Sequence, residues 1–199
     1  LDITHIFLAF LALIFSFWLM FSTFSYQEGN LQIASKVWSD FASHIPLIRS
    51  FTFGENLPPQ FPIFPGPPIK YHFLFYFLVG VLENLGMRID LALNLLSALG
   101  FFGLLIAIYH FAKLLFKSFS TSLLSVFFFL FNGTLSFIYF FQKHGLSLDT
   151  LDQIIKNKDF SSFHPYGSGL VSAFWSLNIY TNQRHLAAAF AFSLLILFS

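Results

Sequence analysis

The 199-residue chain contains no cysteine, which excludes disulfides, thiolate metal sites and cysteine nucleophiles. Charge is also scarce. Asp, Glu, Lys and Arg together make up 10% of the residues, against about 25% in an ordinary soluble domain. So few charges cannot cover a water-facing globule. The net charge is +1, so no electrostatic case for nucleic acid exists and none is expected as a partner. The sequence has no P-loop, no dinucleotide fingerprint and no His-Glu-x-x-His pair. Ionisable residues are rare inside its apolar runs, with Glu83, Arg88 and Asp90 gathered at one boundary. A pump needs charges deeper in its spans, so this distribution speaks against one.

What the chain does have is apolar surface. Hydrophobic residues make up 56% of it, phenylalanine alone accounts for 32 positions, and the mean hydropathy is +0.73. Hydrocarbon can solvate a surface of Phe and Leu where water cannot. The expectation is a multi-pass integral protein of the cell membrane, with the lipid bilayer as its first partner. The chain begins at Leu1 rather than Met and stops inside an apolar run, so it reads as the N-terminal part of one transmembrane domain covering residues 1–199. The first apolar run is too long for a signal peptide, lacks a basic region before it and has no small-x-small cleavage site after it.

A bilayer core takes about 20 predominantly apolar residues of helix. Five runs approach that length, near 5–24, 71–85, 89–116, 119–141 and 185–199, the fourth interrupted by Asn132-Gly133-Thr134. That triplet matches a glycosylation acceptor but lies in an apolar run, so it reads as a helix break. Between the runs lie polar loops at 25–70 and 142–184. Both are aromatic and partly amphipathic, which suits helices lying in the membrane interface. The fold class predicted is all-α, a polytopic transmembrane bundle whose long first loop carries juxtamembrane helices.

In that first loop, Ile33, Val37, Phe41, Ile45 and Ile48 recur at helical spacing, which predicts a helix over 31–51 with a kink or break at Pro46. Pro58-Pro59, Pro62, Pro65 and Pro67-Pro68 then forbid regular helix and predict an extended strap leading into the second run. Basic residues do not fix the orientation. If every run crosses once, Lys36, Arg49, Lys70, Lys113 and Lys117 fall on one side and Arg88, Lys143, Lys156, Lys158 and Arg184 on the other, a tie.

Three stretches can carry chemistry. In Trp38-Ser39-Asp40-Phe41-Ala42-Ser43-His44, Asp40 and His44 stand one helical turn apart and share a face. Desolvating a carboxylate at an interface costs free energy. Asp40 is therefore a candidate general base for an acceptor hydroxyl, or a holder of a metal or an orienting hydrogen bond, with His44 orienting it, binding a phosphate as a cation or ligating metal; the alternative is a solvated acid with a nearby His. Lys70-Tyr71-His72 stands where the strap meets the second run. Lys70 or His72 can contact a lipid phosphate, or the stretch can be an aromatic anchor with a snorkelling Lys. In Tyr180-Thr181-Asn182-Gln183-Arg184-His185, Arg184 can hold a phosphate bidentately, or serve only as a boundary cation. Asp149 and Asp152 read as a solvated loop pair.

The organisation resembles a known family. One span, a long loop with an early Asp, a Pro/Gly-rich strap (Phe64-Pro65-Gly66-Pro67-Pro68-Ile69-Lys70-Tyr71-His72) and a Tyr-His lead into the next span are arranged in this order. This is similar to the polytopic glycosyltransferases of the GT-C fold, which transfer sugars from polyprenyl-phosphate donors; mannosyltransferases are among them. The runs Trp38–Phe51, Phe131–Phe137 and Asn182-Gln183-Arg184 also look like segments of bacterial membrane proteins of this type.

The resemblance implies a transferase moving sugar from a polyprenyl-phosphate donor to a glycan, lipid or protein acceptor outside the cytoplasm. It implies a catalytic role for Asp40 with His44, and substrate-binding roles for Lys70, Tyr71, His72 and Arg184. No cofactor is expected. The first loop lacks the Asp-Asp or Glu-Asp pair that would favour a divalent metal. The competing readings are a polytopic transporter or flippase, which would depend on polar residues such as Asn94 or Asn132 in broken helices, and a non-catalytic assembly subunit.

Overall fold

The computed structural model describes residues 3–34, 38–133, 141–142, 145–150, 152 and 175–198. The chain is mostly helical. Helix α1 (Ile3–Thr23) is followed by a two-stranded hairpin, β1 (Phe24–Gln27) and β2 (Asn30–Ile33), and then by α2 (Trp38–Thr52). A second small hairpin, β3 (Gln60–Phe61) and β4 (Phe64–Pro68), leads to α3 (Leu74–Asn84). Helices α4 (Ile89–Phe116) and α5 (Phe119–Leu130) follow, with α6 (Trp175–Asn182) and α7 (Arg184–Phe198) closing the described chain.

Helices α1 and α4, of 21 and 28 residues, are long and apolar enough to cross a membrane. At 1.5 Å per residue they measure about 31 and 42 Å, and a hydrocarbon core is about 30 Å thick. The second run does not fit the single span expected from sequence. Its helix α3 has 11 residues, about 16 Å, because Pro67-Pro68 holds the preceding chain in a strand and Leu85-Gly86 turns it back towards α4. The fourth run also stops early. Helix α5 ends at Leu130, and Asn132 instead accepts hydrogen bonds from Ser176 N and Oγ at the start of α6, 3.2 Å each. The remainder of that run, 134–140, and the His164-Pro165-Tyr166-Gly167 turn signal lie outside the described residues.

The first loop differs from its expected form at both ends. Leu31 and Ile33 belong to β2, paired with Tyr26 and Phe24. Their i, i+2 spacing fits strand as well as helix, and Glu28-Gly29, both with positive φ, closes the turn. Helix α2 then runs through Pro46 without a break. The strap folds on itself as the β3–β4 hairpin, with Asn56 accepting from Gln60 N and donating to Gln60 O, 2.8 Å each.

Helices α2 and α3 lie parallel. His44 meets Tyr76 near their N-terminal ends, and Thr52 donates to Glu83 near their C-terminal ends, 2.8 Å. Gly80 permits the close approach: a Cβ there would stand 2.9 Å from Phe51 Cβ and 3.0 Å from Ile48 O. Helices α4 and α7 pack in the same manner, with Gly100 against Ala188 and Gly103 against Ala191. The core forms two clusters. One joins α1, α4, α6 and α7 through Leu19, Met20, Phe101, Leu104 and Ala187. The other joins β1, α2, α3 and the start of α4 through Phe24, Phe41, Ile48, Tyr76 and Leu93.

Candidate functional site

The sequence-predicted residues come from three distant stretches, and most meet where α1 ends and α7 begins. Asp40 stands in the first turn of α2. Its Oδ2 accepts from Gln183 Nε2 at 2.8 Å, and Gln183 Oε1 accepts from the Tyr71 hydroxyl at 3.3 Å. One amide thus joins the carboxylate to the phenol across 143 and 112 residues of sequence. The Tyr71 and His72 rings lie 3.6 Å apart, and His72 stacks on His185 at 3.6 Å with 29° between planes.

Beneath this layer, Tyr76 Oη lies 2.8 Å from His44 Nε2 and 2.8 Å from His185 Nδ1. His44, Tyr76 and His185 are all buried. Burial, with His72 and Arg184 nearby, lowers the His44 pKa to about 4, so its ring is neutral at pH 7. Burial lowers the pKa of His72 as well. The Tyr71 phenol is pushed up by burial and by the Asp40 carboxylate, against the pull of the Tyr76 hydroxyl. His185 Nε2 is buried and has no hydrogen-bond partner among the described residues.

Arg184 occupies a different place from the one its sequence position suggests. It is 1% exposed and sits at the seam of the two core clusters. Nη1 donates to Asn94 Oδ1, Nη2 to Thr23 Oγ1 at 2.8 Å and to Met20 O at 3.3 Å, and Nε to Thr181 O at 3.2 Å. Its guanidinium lies over Phe41 at 5.0 Å and Phe24 at 5.9 Å. Asn94 completes the clamp by donating to Phe24 O at 2.7 Å. Four of the five guanidinium donors are therefore engaged by the protein. In this arrangement Arg184 is buried beneath the site and held by the protein's own acceptors. Lys70 is exposed beside Tyr71 in sequence.

Tyr76 escaped the sequence reading. It is hidden in the aromatic run Phe73-Leu74-Phe75-Tyr76-Phe77. Its signal is a hydroxyl in an otherwise apolar run, one helical turn after His72. Among the described residues no group of three His, Cys, Asp or Glu side chains is arranged to hold a metal ion. Asp149 and Asp152 are exposed.

No protein-family model matches the chain, and neither a curated protein nor a solved structure is significantly similar to it.

Proposed function

We propose that the chain is part of a multi-pass membrane glycosyltransferase of GT-C type, moving a sugar from a polyprenyl-phosphate donor to an acceptor hydroxyl at the extracytoplasmic membrane face. The observation that carries this reading is the convergence of Asp40, Tyr71, His72, Gln183 and His185 at the end of the two membrane-length helices. A lipid-linked donor keeps its tail in hydrocarbon and its anionic head at the interface, so the chemistry belongs at that level. The outward faces of α1 and α5, with Phe7, Phe10, Trp18, Phe127 and Phe128 exposed, suit a lipid surrounding. An apolar groove of about 950 Å3 between α1, α4 and α5 offers space for a hydrocarbon chain.

In this reading Asp40 is the general base, held in aim by the Gln183 amide, and takes the proton of the acceptor hydroxyl. Attack opposite the phosphate inverts the anomeric centre. Lys70 and His72, at the rim, face the leaving phosphate, whose developing charge a fixed donor stabilises. Arg184 supports the site from below.

The test uses the full-length protein in vesicles supplied with labelled polyprenyl-phosphate sugars, with release of the lipid phosphate as the readout. Wild-type turnover that falls a hundredfold or more in Asp40→Asn, at equal folded amounts, supports the reading. Turnover indifferent to Asp40→Asn keeps a transferase and removes Asp40 as its base. Absence of turnover with every donor shifts the weight to a flippase, which a lipid-flipping assay on the same vesicles reads directly.

A further inference from the structure

Tyr76 has one proton and two histidine neighbours, each 2.8 Å from its oxygen. A phenol can donate to only one of them. If both rings are neutral and the Tyr76 proton lies between them, the other ring donates to Tyr76, which gives two arrangements. In the first, Tyr76 donates to His44 Nε2 and His185 Nδ1 donates to Tyr76, leaving His185 Nε2 bare. In the second, Tyr76 donates to His185 Nδ1 and His44 Nε2 donates to Tyr76, so His185 Nε2 carries the proton. In both arrangements the two imidazoles are the same tautomer.

Neutrality of both rings follows from their surroundings. His44 and His185 are 4% and 6% exposed. The groups facing them are Tyr76, His72, Tyr71 and the Arg184 guanidinium. The Asp40 carboxylate, one turn before His44, accepts from Gln183 and bonds to neither ring, and an imidazolium buried beside a guanidinium is costly. The outer end of the chain is His185 Nε2, buried and unpartnered among the described residues, on a ring covered by the exposed His72. An unpaired buried polar atom loses a hydrogen bond that a bound ligand can supply.

We propose that His44, Tyr76 and His185 form a tautomeric relay that opens onto the site at His185 Nε2 and accepts a hydrogen bond from a ligand hydroxyl there. A ligand that displaces the His72 ring meets the bare Nε2. Its hydroxyl donates to Nε2 and keeps its own proton, which holds His185 protonated at Nδ1, Tyr76 donating to His44 Nε2 and His44 protonated at Nδ1. The contact at one end thus sets the tautomer at the other without charging a buried group. Tyr76 and His44 act as positioning residues, and His185 is the contact. The relay rests on the transferase reading only for the identity of the hydroxyl, a sugar or an acceptor.

The experiment is 15N NMR of histidine-labelled full-length protein in lipid nanodiscs at pH 7, with His44→Gln and His185→Gln spectra to assign the two rings. Bare and protonated ring nitrogens resonate far apart, so each tautomer is read directly. The relay requires His44 and His185 to be neutral and in the same tautomer, and Tyr76→Phe to release them into independent mixtures. Opposite tautomers, or an imidazolium at either position, overturns it. The wild-type spectrum decides this even if Tyr76→Phe does not fold. Matched tautomers in a protein that turns over no donor would keep the relay and remove the transferase; turnover with opposite tautomers would do the reverse.

Discussion

Replacing Asn94 by Leu tests the buried clamp most directly. Asn94 Oδ1 accepts from Arg184, and its Nδ2 donates to Phe24 O. The substitution strands one guanidinium N–H and one carbonyl in the core. Each unsatisfied buried group costs about 1–3 kcal/mol, with the charged one at the high end, so the expected loss is about 3–5 kcal/mol. For a chain of this size that corresponds to a fall in Tm of roughly 6–20 °C, measured on purified protein in one detergent. Arg184→Met alone should also destabilise, because Asn94 Oδ1 and Thr23 Oγ1 lose the donor that Arg184 supplies. Removing both partners is milder than the sum of the two, since neither leaves the other stranded. The double-mutant cycle should give a coupling of about 1–3 kcal/mol. Single-mutant effects that add to within about 0.5 kcal/mol would refute the claim that Asn94 holds Arg184.

Other perturbations have defined outcomes. On the transferase reading, Gln183→Leu should lower turnover in the lipid-phosphate-release assay, because Asp40 and Tyr71 lose their shared amide; unchanged turnover would show that the amide does not aim the carboxylate. Gly80→Ala should separate α2 from α3 and lower Tm, because the new Cβ would stand 2.9 Å from Phe51 Cβ; an unchanged Tm would mean that the pair has room to shift. Stability should fall as pH drops from 6.5 towards 4. The His44 pKa is lowered to about 4 in the fold, so the unfolded chain binds the extra proton first across that window. The full effect is about 3 kcal/mol, and His44→Gln should flatten that part of the pH profile in a thermal-shift series.

The legible parts of the fold are those set by local pattern. Helices α1 and α4 follow from long apolar runs with few polar interruptions, and the break after Leu130 follows from Asn132-Gly133. Helical spacing over 31–51 misled at its start, because Leu31 and Ile33 fit both periods and only pairing with Phe24 and Tyr26 decides between them. The length of α3 was illegible because 71–85 reads as one run, and only the fold shows the helix starting at Leu74 and ending at Asn84. Within the candidate site, Asp40, His44, Tyr71 and His72 stood out as polar groups in apolar context, and the structure brings them within one network. The place of Arg184 could not be read in this way. Its partners Met20, Thr23 and Asn94 lie 90 to 164 residues away, and nothing local separates a buried fastener from a boundary cation.

The clamp also fixes an order of events during synthesis. Asn94 can bond to Phe24 O as soon as α4 is made, but Arg184 emerges 90 residues later. At about 5–20 residues per second the first four helices wait roughly 5–20 s for the side chain that locks them together. A nascent chain halted before Arg184 carries an open seam between its two cores, which makes this interval the natural window for chaperone capture or quality-control cleavage.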